Sequence, residues 1–187
     1  MNPNLIALYS PTMGHGKTTV TRTLHDHGFM TVKLAGTLKD MIRVFLRDLG
    51  IAPNVIEGMV EGNRKEAPIP GLPGVTPRSL MQTLGTDWGR TFIRPSIWIE
   101  IALARTRRLL NSGHKVVIDD LRFPNEFIEL KDLGAIMVKV VRPGVQATNN
   151  HPSEGLLNDH PWDATILNDG TLAELRDKTL DILKVVA

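Results

Sequence analysis

LIALYSPTMGHGKTTV, residues Leu5–Val20, decides how the rest of the chain is read. An apolar run stops at a turn containing Gly14 and Gly16 and restarts as Lys17-Thr18-Thr19. That order reads as a buried strand, an anion-cradling turn and a helix start. The two glycines let the backbone curl with its N–H groups inward, at the positive end of a helix. Lys17 adds a mobile positive charge, and the Thr18 hydroxyl is placed to ligate Mg²⁺. In the pattern G-x-x-x-x-G-K-[ST] the first glycine falls on Pro11, which fixes φ and lacks an N–H. The N–H groups that would face a phosphate therefore come from Met13, Gly14, His15, Gly16, Lys17 and Thr18, with Thr19 next in the first helical turn. The plainer alternative is a glycine-rich strand-to-helix turn carrying a surface lysine.

Outward from this stretch, strands and helices alternate. Thr18 to His27 reads as a helix closed by Gly28, and Phe29 to Leu34 as a second strand. Thr37-Leu38-Lys39-Asp40 has capping-box spacing and opens a helix that Gly50 ends. A short helix follows from about Asn54 to Val60. Glu61–Val75, with Pro68, Pro70 and Pro73, reads as a mobile surface loop. Thr76-Pro77 supplies an N-cap and a first-turn proline for a helix ending near Gly85 or Gly89. Pro95–Leu110 is a largely apolar helix, expected to be buried on most faces. Lys115 to Ile118 is a β-branched run ending on Asp119 and Asp120. A helix from Pro124 to Leu133, a strand from Ala135 to Val141, a short strand Ala164–Leu167 and a helix opened by Thr171-x-x-Glu174 complete the chain. Five strands, nearly all separated by helices, predict a three-layer α/β domain of P-loop type around a five-stranded parallel sheet. The organisation expected is one domain over residues 1–187. It carries a helical insert at about 37–112 and a lid at about 142–157, the irregular stretches serving as flaps.

Composition narrows the function classes. At 187 residues and 42% apolar content the chain can bury one ordinary core. With no cysteine it has neither a disulfide framework nor a thiolate metal site, which fits a reducing cytoplasm. No apolar stretch reaches the roughly 20 residues of a membrane span, so no membrane partner is expected. A net charge of +2, spread along the chain, and 5% aromatics give no nucleic-acid stacking platform. Small phosphorylated ligands suit the scattered arginines better.

Several side chains can carry such chemistry. A carboxylate closing a strand next to a phosphate loop holds Mg²⁺ directly or through water, and Asp119 and Asp120 both qualify, the alternative being a helix N-cap. Arg122 can reach a transferring phosphoryl group or pair with Glu126 at helical spacing. Arg78 and Arg90 flank one helix, and their fork-shaped guanidinium groups suit a monophosphate of roughly −1.5 to −2 charge. Gln82 can offer donor and acceptor to a base edge. Arg142 can clamp phosphates or stack on a base. His151 and Glu154 lack partners at zinc spacing. No nucleophile triad and no dedicated general base stand out. That absence fits a phosphate acceptor, which is already an oxyanion near neutral pH.

The segments TPRSLMQTLGTDWGR (Thr76–Arg90), DLRFPNE (Asp120–Glu126), VVRP (Val140–Pro143), HPSE (His151–Glu154) and NDGTLAEL (Asn168–Leu175) resemble, in this order, the deoxynucleoside monophosphate kinases of tailed bacteriophages. The resemblance implies ATP-dependent, Mg²⁺-assisted phosphorylation of (deoxy)nucleoside monophosphates in the host cytoplasm. It implies donor roles for Gly14, Gly16, Lys17 and Thr18, and a metal or catalytic role for Asp120. Lys17, Asp120 and Arg122 form the expected catalytic set. Arg78, Gln82 and Arg90 are implied on the acceptor side, with Lys39 counted beside them, and Arg142 at the lid or adenine side. Other readings are a different small-molecule P-loop kinase, such as one for dephospho-coenzyme A, and a nucleotide-binding module without turnover. A homodimer contact, if the chain forms one, is expected on an exposed face of the Pro95–Leu110 helix.

Overall fold

Leu5–Tyr9 forms β1, and all five of its residues are buried. The structure, a computed structural model, describes residues 1–145 and 155–185. Two compact units emerge, one from Met1–Leu34 with Leu103–Ala187 and the other from Ala35–Ala102.

The first unit holds β1, α1 (Lys17–Asp26), β2 (Phe29–Val32), β3 (Lys115–Ile118), α6 (Pro124–Asp132), β4 (Ile136–Val141), β5 (Ala164–Leu167) and α7 (Leu172–Val185). The strands make one sheet in the order β2-β3-β1-β4-β5, with every pairing parallel. Because β1 lies centrally, paired through Ile6 to Val117 on one side and Ile136 on the other, it reads as unbroken hydrophobe. On one face Ile6, Leu8, Val138 and Ile166 pack against Val20 and Leu24 of α1 and Leu175 of α7. The same strand supplies Tyr9, which stacks on Trp162 with ring centres 5.1 Å apart, while Phe127 of α6 meets Trp162 edge-on. The Tyr9 hydroxyl donates to Asn158 Oδ1 at 3.0 Å, so the polar end of this buried ring is satisfied. This is the expected three-layer arrangement, and the element order follows the sequence reading closely.

The second unit is helical: α2 (Gly36–Asp48), α3 (Pro53–Val60), α4 (Pro77–Gln82), a π-helix (Thr83–Ile93) and the start of α5 (Ile97–Asn111). Its core is Ile42, Leu46, Ile51, Ile56, Met59, Val60 and Ile69. Two expectations are corrected here. Glu61–Val75 follows an irregular path, yet it is anchored: Ile69 is buried in this core, its N–H donates to Val75 O at 3.0 Å, and Arg78 N–H donates to Lys65 O at 2.9 Å. The capping box at Thr37–Asp40 is also absent. α2 starts at Gly36 with Ala35 as N-cap, so Thr37 is already inside the helix, and Asp40 accepts from Arg43 at 3.0 Å instead.

Thr76 caps α4 as read, its hydroxyl oxygen accepting from Ser79 N–H while Ser79 Oγ accepts from Thr76 N–H. The helix does not end at Gly85 or Gly89 but widens into the π-helix, a form seen mostly at functional positions. Trp98 explains Gly89, since a Cβ there would lie 2.5 Å from its ring. Its indole N–H donates to Gly85 O at 2.8 Å, while a Cβ on Gly85 would press on Leu38 at 3.3 Å. Neither glycine is a stop signal. The α5 helix begins at Ile97 rather than Pro95, and Arg105, Arg107 and Arg108 are exposed on it, so it is not buried on most faces. Among the described residues no helix is long and apolar enough to cross a membrane.

Candidate phosphate-binding site

The loop after β1 takes its shape from Gly14 and Gly16, at φ 88° and 97°. Among the described residues only glycines have positive φ, so the position of Pro11 does not require glycine. The first helical bonds run from Thr19 N–H and Val20 N–H to Gly16 O, at 2.9 and 3.2 Å. Among the described residues the N–H groups of Gly14, His15, Gly16, Lys17 and Thr18 donate to no backbone acceptor. A run of such donors at the N-terminus of a ten-residue helix is an anion site.

Two side chains lock this loop to the sheet. Asn168, just past β5, donates from Nδ2 to His15 O at 3.0 Å. Arg142 N–H, just past β4, donates to His15 Nδ1 at 2.8 Å. The proton of neutral His15 is thereby assigned to Nε2, which is buried without a partner among the described residues. Burial, then Lys139 and Lys17, hold its pKa below the ordinary histidine value. His15, Pro11, Thr12 and Arg142 line an open cleft of about 420 Å³, within the size range of small-molecule sites. Gly16 has no room for a side chain, since a Cβ would sit 2.5 Å from Asn168 Nδ2. Gly16→Ala is expected to cost roughly 1–2 kcal/mol from its backbone conformation alone. Melting temperature and nucleotide binding should fall together; an unchanged affinity would mean that the loop is not the donor site.

Lys17 opens α1 with its ammonium facing the end of β3. Burial pulls its pKa down to about 8, Asp119 and Asp120 oppose that shift, and Arg122 and Lys33 add to it. The two aspartates have different surroundings, because consecutive side chains in extended chain point opposite ways. Asp120 Oδ1 accepts Leu34 N–H at 2.8 Å, fastening the chain that leaves β2. Asp119 Oδ2 accepts the Thr21 hydroxyl at 3.2 Å. Its Oδ1 is buried without a hydrogen bond and makes an ion pair with Lys33 Nζ at 2.6 Å. Both carboxylates thus stay at the strand end where a metal is expected, Asp120 on Leu34 N–H and Asp119 on the Lys33 ammonium. Lys33 was missed altogether. The strand expected to run to Leu34 ends at Val32, which leaves Lys33 just past β2 and beside the acidic end of β3.

Arg122 is exposed. Glu126 Oε2 accepts the backbone N–H groups of Arg122 and Phe123 at 2.9 and 3.0 Å, capping α6. Arg142 is exposed beside the cleft. In the second unit Lys39 pairs with Glu61 at 2.7 Å and Arg78 with Glu66, while Gln82 is exposed and Arg90 half-buried. The structure thus brings Lys17, Thr18, Asp119, Asp120 and Lys33 to one edge of the sheet. Most of the expected lid, including His151 and Glu154, lies outside the described residues, and among those described no group of three metal-ligating side chains occurs.

A parallel sheet with β1 at its centre, a glycine loop, a lysine and a helix start define a P-loop kinase fold. A dephospho-CoA kinase from Campylobacter jejuni has the same fold, with a TM-score of 0.53 and 13% identity over 98% of this chain and 97% of that one. The family model described as Deoxynucleotide monophosphate kinase matches residues 74–179. A putative deoxynucleotide monophosphate kinase of Acanthamoeba polyphaga mimivirus is 34% identical over 173 residues, covering 86% of each chain. The deoxynucleotide monophosphate kinase of Enterobacteria phage T4 is 34% identical over 110 residues, covering 58% of this chain and 46% of that protein. This chain belongs to the deoxynucleotide monophosphate kinase family.

Proposed function

We propose that the protein transfers the γ-phosphoryl group of ATP to a deoxynucleoside monophosphate. The observation that carries this is the run of N–H groups without backbone acceptors and the half-buried lysine on the loop after β1, in a chain of this family. The bond between the γ-phosphorus and the β–γ bridging oxygen breaks, a bond to an acceptor phosphate oxygen forms, and two diphosphates leave. The acceptor oxygen is already ionised, so the chain supplies position and charge rather than a base.

Donor phosphates lie on the N–H groups of Gly14 to Thr18, with Lys17 neutralising charge as it develops. The base and ribose take the cleft beside His15 and Arg142. Thr18 and the strand-end carboxylates Asp119 and Asp120 are the groups to hold a divalent cation, Thr18 being exposed and Asp119 presenting a buried oxygen whose partner is the exchangeable Lys33 ammonium. Bound Mg²⁺ would supply charge neutralisation across the donor phosphates. Arg122 serves the transferring group. Arg78, Gln82, Arg90 and Lys39 serve the acceptor, and Ala35–Ala102 is its binding insert within one kinase domain. For Arg78 and Lys39 this role requires letting go of exposed carboxylates, an exchange that costs about 1 kcal/mol or less. The site of action is the cytoplasm of the host cell.

Arg90→Ala should chiefly raise KM for the monophosphate, and a rise confined to KM for ATP would refute its assignment. The lowered pKa of Lys17 gives a pH signature. Below about pH 8 it is charged in the free protein; above, it must take up a proton to hold a polyphosphate. ADP affinity is expected to fall by up to tenfold per pH unit above about 8, and titration calorimetry in two buffers should show proton uptake. Lys17→Met removes that slope. The experiment for the function itself is turnover of each deoxynucleoside monophosphate with ATP and Mg²⁺.

A further inference from the structure

Lys33 belongs to none of the roles above, although it touches the same carboxylate. The β2–β3 register pairs Val32 with Ile118, which sets the next residues, Lys33 and Asp119, side by side at the carboxyl end of the sheet. Lys33 Nζ lies 2.6 Å from Asp119 Oδ1, and the Lys33 side chain is 42% exposed while that of Asp119 is 10% exposed. Thr21 Oγ1 lies 3.2 Å from the other oxygen, Oδ2, and shares its one proton between that oxygen and Lys17 O, so the carboxylate has a contact besides Lys33. One buried oxygen is thus oriented by the fold and covered by a long, mobile cation.

We propose that Lys33 is the resident place-holder for the divalent cation on Asp119, and that metal binding displaces it. This rests on the kinase reading, in which a metal accompanies the donor nucleotide. The exchange suits the energetics. A half-exposed lysine gives up an ion pair at small cost, whereas a buried carboxylate oxygen with no cation at all is costly. Lys33 therefore covers the buried Asp119 oxygen while the site waits. Asp120 is held differently, its Oδ1 accepting the Leu34 N–H. Once displaced, the Lys33 ammonium is free to meet phosphate oxygens brought to this edge.

Mn²⁺ titration of the nucleotide-free protein, followed by the loss of the free-ion electron paramagnetic resonance signal, tests the proposal without turnover. Lys33→Met should bind Mn²⁺ about two- to fivefold more tightly than the parent, the range that loss of a competing half-exposed ion pair sets. Lys33→Arg, which keeps the competitor, should match the parent. Asp119→Asn should lose binding, and Asp120→Asn should keep it. If Lys33 merely props Asp119 in place, Lys33→Met weakens Mn²⁺ binding, and that sign overturns the proposal. So does unchanged affinity, absence of binding in all forms, or loss with Asp120→Asn but not Asp119→Asn. Circular dichroism of each variant reports folding. A protein showing these shifts but transferring no phosphoryl group would leave Lys33 in this role and sink only the kinase reading.

Discussion

Lys17→Ala is expected to lower kcat for phosphoryl transfer by about 10²–10³-fold or more, the scale of losing one preorganised charge at a transition state. The reason lies in what surrounds it. Lys17 is held in a site that disfavours its charge until phosphates arrive, as its pKa of about 8 reports. Such a group is worth most when charge develops against it and least in the resting protein. The variant should fold normally, since removing a buried cation relieves a desolvation cost. A turnover within a few-fold of the parent would remove the loop after β1 from the donor site.

The second large effect is on stability. Trp98→Ala is expected to destabilise the protein by about 3–5 kcal/mol, the usual cost of deleting a buried aromatic ring. Trp98 is 7% exposed, its indole lies against Gly89, and its N–H satisfies Gly85 O inside the π-helix. Trp98→Phe keeps most of the packing and loses the hydrogen bond, so it should fall between the two, about 1 kcal/mol from that bond. Because Arg90 sits on the same π-helix, the Phe variant should raise KM for the monophosphate more than KM for ATP. Urea denaturation gives the first quantity and steady-state kinetics the second. A Trp98→Ala protein as stable as the parent would contradict this account of the helix.

These two sites differ in how far the sequence discloses them. The loop is local: Gly14, Gly16 and Lys17 sit within four positions, and their conformations follow from spacing and from the absence of a Cβ. The alternation of apolar runs with capped helices likewise carries the sheet, because each signal lies inside one element. Gly85 and Gly89 mislead for the opposite reason. The room at Gly89 is set by Trp98, beyond a turn, and that at Gly85 by Leu38, and a glycine that accommodates a distant side chain looks the same in sequence as one that ends a helix. Pro-rich Glu61–Val75 misleads too, since one buried residue, Ile69, is enough to hold an irregular segment against a core.

Asp119-Asp120 shows the limit within a single motif. Spacing announces two carboxylates at a strand end, but only the surroundings separate them, one satisfying Leu34 N–H and the other facing Lys33. Lys33 meets Asp119 through the pairing of two strands distant in the chain, and no local pattern encodes that meeting. The lock on the phosphate loop is of the same kind, with His15 tied to residues that follow β4 and β5.

The most direct test of the central claim is phosphorus-31 nuclear magnetic resonance of the full chain with ATP, Mg²⁺ and each deoxynucleoside monophosphate in turn. The account predicts that at least one monophosphate is converted to its diphosphate, with one ADP formed per product and no inorganic phosphate released. ATP binding without conversion of any monophosphate would contradict it.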